Sequence, residues 1–261
     1  MKYAVSIAGS DSSCGAGIQT DLKTMQACGV WGMTVIAALT AQNGMHVTGS
    51  AKVEADFIRQ QIAALTDEFP VSAWKTGMLN TAETVDAVAA ALPADAVLVV
   101  DPVIVSTSGS ILLDQTGIDA VTERMIPRAA LVTPNIPEAE YLTGMQVTDT
   151  ASVARAGQWF LDRGAQAVLI KGGHNPAFSG SDFLIDASGM QTIEGRRLPF
   201  SDIHGTGCCL SSAIAAYLAQ GMPMKDAVVA GKAFVTAAIE HSVVYPSGRR
   251  TVNPLWKSVS D

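Results

Sequence analysis

Positive charge is scarce in this sequence: 17 Lys or Arg stand against 24 Asp or Glu in 261 residues, giving a formal net charge of −7. With no basic patch to neutralise phosphates, nucleic acid and anionic membranes are disfavoured as partners and small molecules are favoured. Cysteine is scarce too. Cys14, Cys28, Cys208 and Cys209 form no Cys-x-x-Cys metal pair and lack the density of a secreted disulfide scaffold, so a reducing cytoplasm is expected. No apolar run is long enough to span a bilayer. The short run after Met1-Lys2 reads as a first buried strand and not an export signal, because Asp11 interrupts the approach to Cys14. Neither the Gly-x-Gly-x-x-Gly spacing of a dinucleotide site nor the Gly-Lys-Ser/Thr ending of a P-loop occurs. No repeat, low-complexity segment or linker is visible, so one domain over 1–261 is expected.

What is present is an α/β pattern with enough apolar residues, 48%, to fill a large core. Short apolar runs at 3–8, 32–40, 72–76, 96–100, 131–133 and 167–170 read as buried strands. They alternate with helical patterns at 18–26, 54–69, 82–92, 152–163 and 224–241. Residues 45–53 alternate as a small β flap, and 182–187 with 191–194 read as a hairpin turning at Ser188-Gly189. Pro137 is expected at the first position of a helix, with Glu138 and Glu140 favoured by its dipole. The tail from Tyr245 onward carries no pattern. Open sheets of this kind bind ligands at the carboxyl ends of their parallel strands. Three residues at such ends carry chemistry: Asp101 after the 96–100 run, Asn135 with Glu138 after 131–133, and Lys171 closing 167–170. Asp101 serves equally well as a loop cap or as a charge beside a ligand or metal. A lysine closing an apolar strand suits a phosphate partner.

His204-Gly205-Thr206-Gly207-Cys208-Cys209 runs into the small apolar segment 210–219. Glycines at a helix start leave backbone N–H groups open to an anion, and the helix dipole adds positive potential there. A thiol in that first turn is expected to have a lowered pKa and to act as base or nucleophile.

Seven stretches in order resemble the hydroxymethylpyrimidine/phosphomethylpyrimidine kinases, within the ribokinase-like superfamily. They are Ala8-Gly9-Ser10-Asp11-Ser12-Ser13 continuing through Gly15-Ala16-Gly17 to Asp21-Leu22-Lys23-Thr24, Ala41-Gln42-Asn43, Lys75-Thr76-Gly77-Met78-Leu79, Asp101-Pro102-Val103, 133–139, Lys171-Gly172-Gly173-His174, and 204–208. The resemblance implies a three-layer α/β/α sandwich with a mainly parallel sheet and a small β flap that helps form a homodimer. It implies transfer of the ATP γ-phosphoryl to 4-amino-5-hydroxymethyl-2-methylpyrimidine and then to its monophosphate, giving the diphosphate used to build thiamine. Gly205, Thr206, Gly207 and Cys208 would form an anion hole, with Cys208 as base. Lys171, Thr206, Gly207, Asp101 and Asn135 would hold ATP, and Glu138 with Asp101 would organise Mg2+. Gln42 would read the aminopyrimidine edge with its amide fork, Ala16 and Asp21 would lie near that edge, and Met78 and Val103 would contact the ring faces.

The chain departs from the pattern at Cys14, where glycine is common, at Thr107, where a lysine is frequent and its loss would weaken or reroute phosphate binding, and at Cys209, read as packing. His204 is open to two roles, tuning Cys208 or capping its loop. The rival functions are a pyridoxal kinase, a non-catalytic pyrimidine sensor and a cysteine-nucleophile hydrolase.

Overall fold

The computed structural model describes residues 1–258 apart from 105–111, 174–177, 179, 196–197 and 201–202, so Thr107 and His174 lie outside the described residues. Its strands are β1 (Tyr3–Asp11), β2 (Trp31–Gln42), β3 (Val47–Lys52), β4 (Val71–Thr76), β5 (Leu98–Val100), β6 (Leu131–Val132), β7 (Ala167–Lys171), β8 (Asp182–Asp186), β9 (Gly189–Ile193), β10 (Val243–Val244) and β11 (Arg250–Thr251). Its α-helices are α1 (Gly17–Ala27), α2 (Ala55–Glu68), α3 (Ala82–Ala91), α4 (Gln115–Ala120), α5 (Ile136–Thr143), α6 (Thr150–Leu161), α7 (Thr206–Ala219) and α8 (Met224–Glu240).

Nine strands form one sheet in the order β3-β2-β1-β4-β5-β6-β7-β8-β9. The pairs from β2 through β7 are parallel, while β3 at one edge and β8 and β9 at the other are antiparallel. Because neighbouring side chains of a strand point to opposite faces, each central strand divides its apolar residues between two helix layers. Val5, Ile7, Trp74, Val100 and Ile170 pack with residues of α2, α3, α5 and α6. On the opposite face, Val99, Leu131 and Leu169 pack with α7 and α8, and Ala4 and Ala73 with α1 and α7. The expected three layers are therefore present.

Connections run from β1 outward to β2 and then from β4 outward to β7, so the order reverses beside β1. That switch point opens a crevice at the carboxyl ends of the strands. β1 extends three residues past the expected end, carrying Asp11 to the crevice rim. The expected flap is β3, hydrogen-bonded antiparallel along β2 from Ala38↔Lys52 to Gln42↔Val47 as an edge of the same sheet.

One expectation is corrected, and two stretches that the sequence left unread are structured. Pro137 takes the second helical position, because Asn135 caps α5 and Ile136 begins it. Residues 114–128 hold α4, capped by the Asp114 side chain, then a π-type turn and a 3-10 turn; no sequence period marked them. The tail is structured: β10 and β11 pair, and Tyr245 and Thr251 donate to the Ser13 and Gly15 carbonyls.

Cys14 adopts φ +59° in the turn after β1. An L side chain there carries a steric cost that glycine does not, which explains why glycine suits this place. Cys14→Gly is expected to raise stability by about 1 kcal/mol, read as a higher urea midpoint; a lower midpoint would contradict this account of the turn.

Candidate active site

A cavity of about 590 Å³ lies along the carboxyl ends of the strands and against the start of α7. Its lining brings Asp11, Ala16, Gln42, Met78 and Val103 together with Asp101, Asn135, Glu138 and Lys171 and with Gly205 to Cys208. The lining also includes apolar Leu198, Phe200, Ile203, Val235 and Ile239, with Lys232 and Thr236.

The helix start is built as its glycines dictate. Gly205 has φ +84°, and any Cβ on it would run into the Gly15 carbonyl. With no side chain capping α7, the N–H groups of Thr206, Gly207 and Cys208 are left for a ligand. A Cβ on Gly207 would stand 3.4 Å from Lys171 Nζ and 3.5 Å from an Asp101 carboxylate oxygen, so this backbone abuts both charges. Lys171 Nζ lies 3.3 Å from Asp101 Oδ1, which also accepts from Thr133 Oγ1, while Asp101 Oδ2 accepts from Ser211 on α7. Burial works against the charge on Lys171, but Asp101 and Glu138 outweigh it and hold the ammonium above the usual lysine value. The cation is fixed beside the uncapped helix start.

Asn135 and Glu138 form a reciprocal capping box: Asn135 Oδ1 accepts from the Glu138 N–H and Glu138 Oε2 from the Asn135 N–H, both at 2.8 Å. The cap explains their spacing and also sets Glu138 into the cavity wall. Burial raises its pKa, Lys171 pulls it down and Asp101 pushes it up again. No group of three His, Cys, Asp or Glu suited to a metal occurs among the described residues. The carboxylates of Asp101 and Glu138, both in the cavity wall, are nevertheless of the kind that suits Mg2+, which is commonly held by one or two carboxylates plus substrate phosphates.

Cys208 departs from expectation. Burial pushes its thiol up to about 11, although Lys75 and a hydrogen bond from the Gly17 N–H pull the other way. The helix dipole does not win because the sulfur is desolvated between α7 and α1. Cys209 is fully buried and accepts from Thr24 Oγ1 at 3.6 Å, a packing role.

Asp21 is a second correction. It is absent from the cavity lining and fully buried, salt-bridged to Lys75 at 2.8 Å and hydrogen-bonded by Ser6 and Ser212. Ala16 does line the cavity, but its N–H is spent on Asp11. The Gln42 amide oxygen accepts from Thr40 Oγ1 at 3.2 Å, and its nitrogen lies 3.1 Å from His204 Nε2, whose proton goes to Asp11, so the amide N–H groups stay open. His204 Nε2 is also 3.1 Å from Asp11, while its backbone bonds to Arg250 and Val252. These contacts favour a loop-fastening role. Met78 reaches the space above Gly9 that a Cβ would fill, and Val103 takes φ +42°, a strained value for a β-branched residue.

Two groups escaped sequence reasoning. Asp11 accepts from the N–H groups of Ser13, Gly15 and Ala16 and from His204, and these bonds overcome its burial and lower its pKa. The signal was available, since Asp11 closes a buried strand as Asp101 does. Lys232, held by the Gly180 carbonyl and Asp182, sits on a helix whose sequence shows packing but not which neighbour it meets.

A mainly parallel α/β sheet, with an uncapped helix start and a fixed lysine–carboxylate pair at its carboxyl edge, defines a small-molecule kinase of the ribokinase-like fold. More narrowly, the chain belongs to the phosphomethylpyrimidine kinase family, whose model matches residues 11–253. It is 44% identical to a hydroxymethylpyrimidine/phosphomethylpyrimidine kinase of Rhizobium meliloti over 238 residues, covering 90% of each chain. It is also 44% identical over 94% of its length to the thiamine biosynthesis bifunctional protein ThiED of Geobacter sulfurreducens, about half of whose length (50%) it spans. Among solved structures it is similar to the pyridoxal kinase of Staphylococcus aureus in complex with AMP-PCP and pyridoxal. That match has TM-score 0.86 and 32% identity, covering 97% of this chain and 93% of the other.

Proposed function

We propose that the protein transfers the γ-phosphoryl of ATP to 4-amino-5-hydroxymethyl-2-methylpyrimidine and then to the resulting monophosphate, as the names of its relatives indicate. The observation that carries this reading is the juxtaposition, in one cavity, of the open N–H groups at residues 206–208, the Lys171–Asp101 pair and the Gln42 amide. Phosphoryl transfer asks mainly for positioning and charge stabilisation, which oriented N–H groups and a fixed ammonium supply. The acceptor hydroxyl oxygen bonds to the γ-phosphorus, its proton passes to the Sγ of Cys208 in its thiolate form, a small fraction at neutral pH that grows as pH rises toward about 11, and ADP leaves with the electron pair of the broken P–O bond. Asp101 and Glu138 would hold Mg2+, partly through water; when bound, the ion neutralises phosphate charge.

Gln42 presents an acceptor and a donor to the amino and ring-nitrogen groups of an aminopyrimidine. The β2–β3 edge, with Leu39 and Met45 exposed, is the surface we assign to a homodimer, and four free cysteines suit a reducing cytoplasm. No described helix is long and apolar enough to cross a membrane.

Likeness to a pyridoxal kinase keeps a second acceptor in view. Turnover of hydroxymethylpyrimidine, its monophosphate and pyridoxal, measured side by side with Mg-ATP, is expected to favour the two pyrimidines. Preference for pyridoxal would replace the assignment, and pyrimidine-dependent melting shifts without ATP consumption would mark a sensor.

A further inference from the structure

The β10–β11 hairpin contributes no residue to the cavity lining, yet one of its side chains bears on both loops that carry Gln42. Tyr245 follows β10 directly. Its N–H donates to the Arg249 carbonyl and its carbonyl accepts from the Gly248 N–H, so the turn itself fixes its backbone. Its hydroxyl donates to the Ser13 carbonyl, in the loop after β1, at 2.9 Å. A Cβ on Gly15 of that loop would stand 2.7 Å from the same hydroxyl oxygen, and a Cβ on Gly44, in the turn after β2, would run into the ring at Cδ2. The side chain therefore lies hard against both loops.

Both loops lead to Gln42. In the turn after β2 the Asn43 N–H donates to the His46 carbonyl, and Asn43 Oδ1 accepts from the N–H groups of Met45 and His46. A turn closed in this way moves as a unit, so a stop at Gly44 restrains its root at Gln42. From the other side, Ser12 Oγ donates to the Gln42 carbonyl at 2.6 Å and accepts from the Gln42 N–H at 2.9 Å. Ser12 is exposed and water competes for both bonds, which leaves them weak fasteners on their own.

We propose that Tyr245 is a positioning residue for the phosphoryl acceptor: it clamps the 42–46 turn to the loop after β1 and so fixes the Gln42 side chain where it meets the acceptor ring. This deepens the reading of Gln42 as the group that recognises the acceptor and rests on it. A hairpin of two-residue strands adds little stability of its own, so the wall it presents to these loops accounts for it better. Lys171, Asp101 and Glu138 are set instead by β7, β5 and α5, so loss of the clamp is expected to touch the acceptor and spare ATP.

The experiment is steady-state kinetics of the full chain with hydroxymethylpyrimidine and Mg-ATP, each varied in turn, with pyrimidine binding followed by calorimetry. Tyr245→Phe keeps the ring and loses the bond to Ser13; it is expected to raise the pyrimidine KM and Kd by roughly two- to tenfold, the span of one net hydrogen bond, with kcat and the ATP KM near wild type. Tyr245→Ala removes the ring as well and is expected to raise them further. Gly44→Ala attacks the same contact from the other side by pushing the ring away. In Gly44→Ala/Tyr245→Ala the methyl enters the space the ring has left, so the double variant is expected to match Tyr245→Ala alone. An unmoved pyrimidine KM, an equal rise in the ATP KM, or additive effects of the two substitutions would overturn the proposal. Should the alanine variants fail to fold, Tyr245→Phe, which loses one oxygen atom, decides by the same split. The series is repeated with pyridoxal: were that the preferred acceptor, the pyrimidine assignment would fall, while a raised pyridoxal KM in Tyr245→Phe would still support the clamp.

Discussion

Cys208→Ala is expected to lower kcat for the hydroxymethyl substrate by a factor of roughly 10²–10⁴, the span usual for loss of a positioned general base. ATP affinity should stay close to wild type, because the N–H groups of Thr206, Gly207 and Cys208 belong to the backbone and survive the change. The separation matters: the sulfur moves a proton, while the helix start holds charge. Single-turnover ADP formation at saturating ATP, with nucleotide binding followed by calorimetry, reads the two apart. Serine in place of Cys208 is expected to recover little of the rate, because an alcohol ionises far less readily than a thiol in the same desolvated place. Unchanged kcat in the alanine variant would place the proton elsewhere.

Lys171→Met should damage both chemistry and folding. Its ammonium stands against Gly207, where phosphate charge would gather, and removing one such electrostatic partner typically costs about 10²–10³ in kcat. Asp101, nearly buried, and Glu138 would then share a desolvated wall with no cation between them. Removing one member of a buried pair destabilises by about 3–5 kcal/mol, so a lower melting temperature is expected with the lower rate. Lys171→Arg separates the two effects: charge is kept and melting should recover, while the planar guanidinium cannot reproduce the point contact and kcat stays low. A methionine variant of ordinary stability and rate would show that Lys171 serves neither purpose.

The start of α7 was legible because its signal is local: glycine at 205 and 207, then small apolar residues, describe a helix start without further context. Lys171 and Asp101 were legible for a similar reason, as charges that end buried strands. Asp21 was not. Placed on a helix face in a stretch resembling ligand-binding loops, it gives no sign that Lys75, 54 positions later, will meet it out of solvent. The same holds for the thiol of Cys208, where a local rule about helix starts predicts a lowered pKa and burial by a distant helix reverses it. Residues 245–252 were silent because their hydrogen bonds go to backbone groups of loops near the other end of the chain, which no periodicity records.

That tail imposes an order on synthesis. Thr251 bonds to the carbonyls of both Gly15 and His204, and the backbone of residue 204 is held by residues 250 and 252. On the ribosome the parallel strands can pair as they emerge, yet the loop after β1 and the loop that opens α7 gain their last fastening only when residue 252 has cleared the exit tunnel. A growing polypeptide can thus own most of its sheet while the loop that opens α7 is still unfastened, until residues 250–252 have emerged.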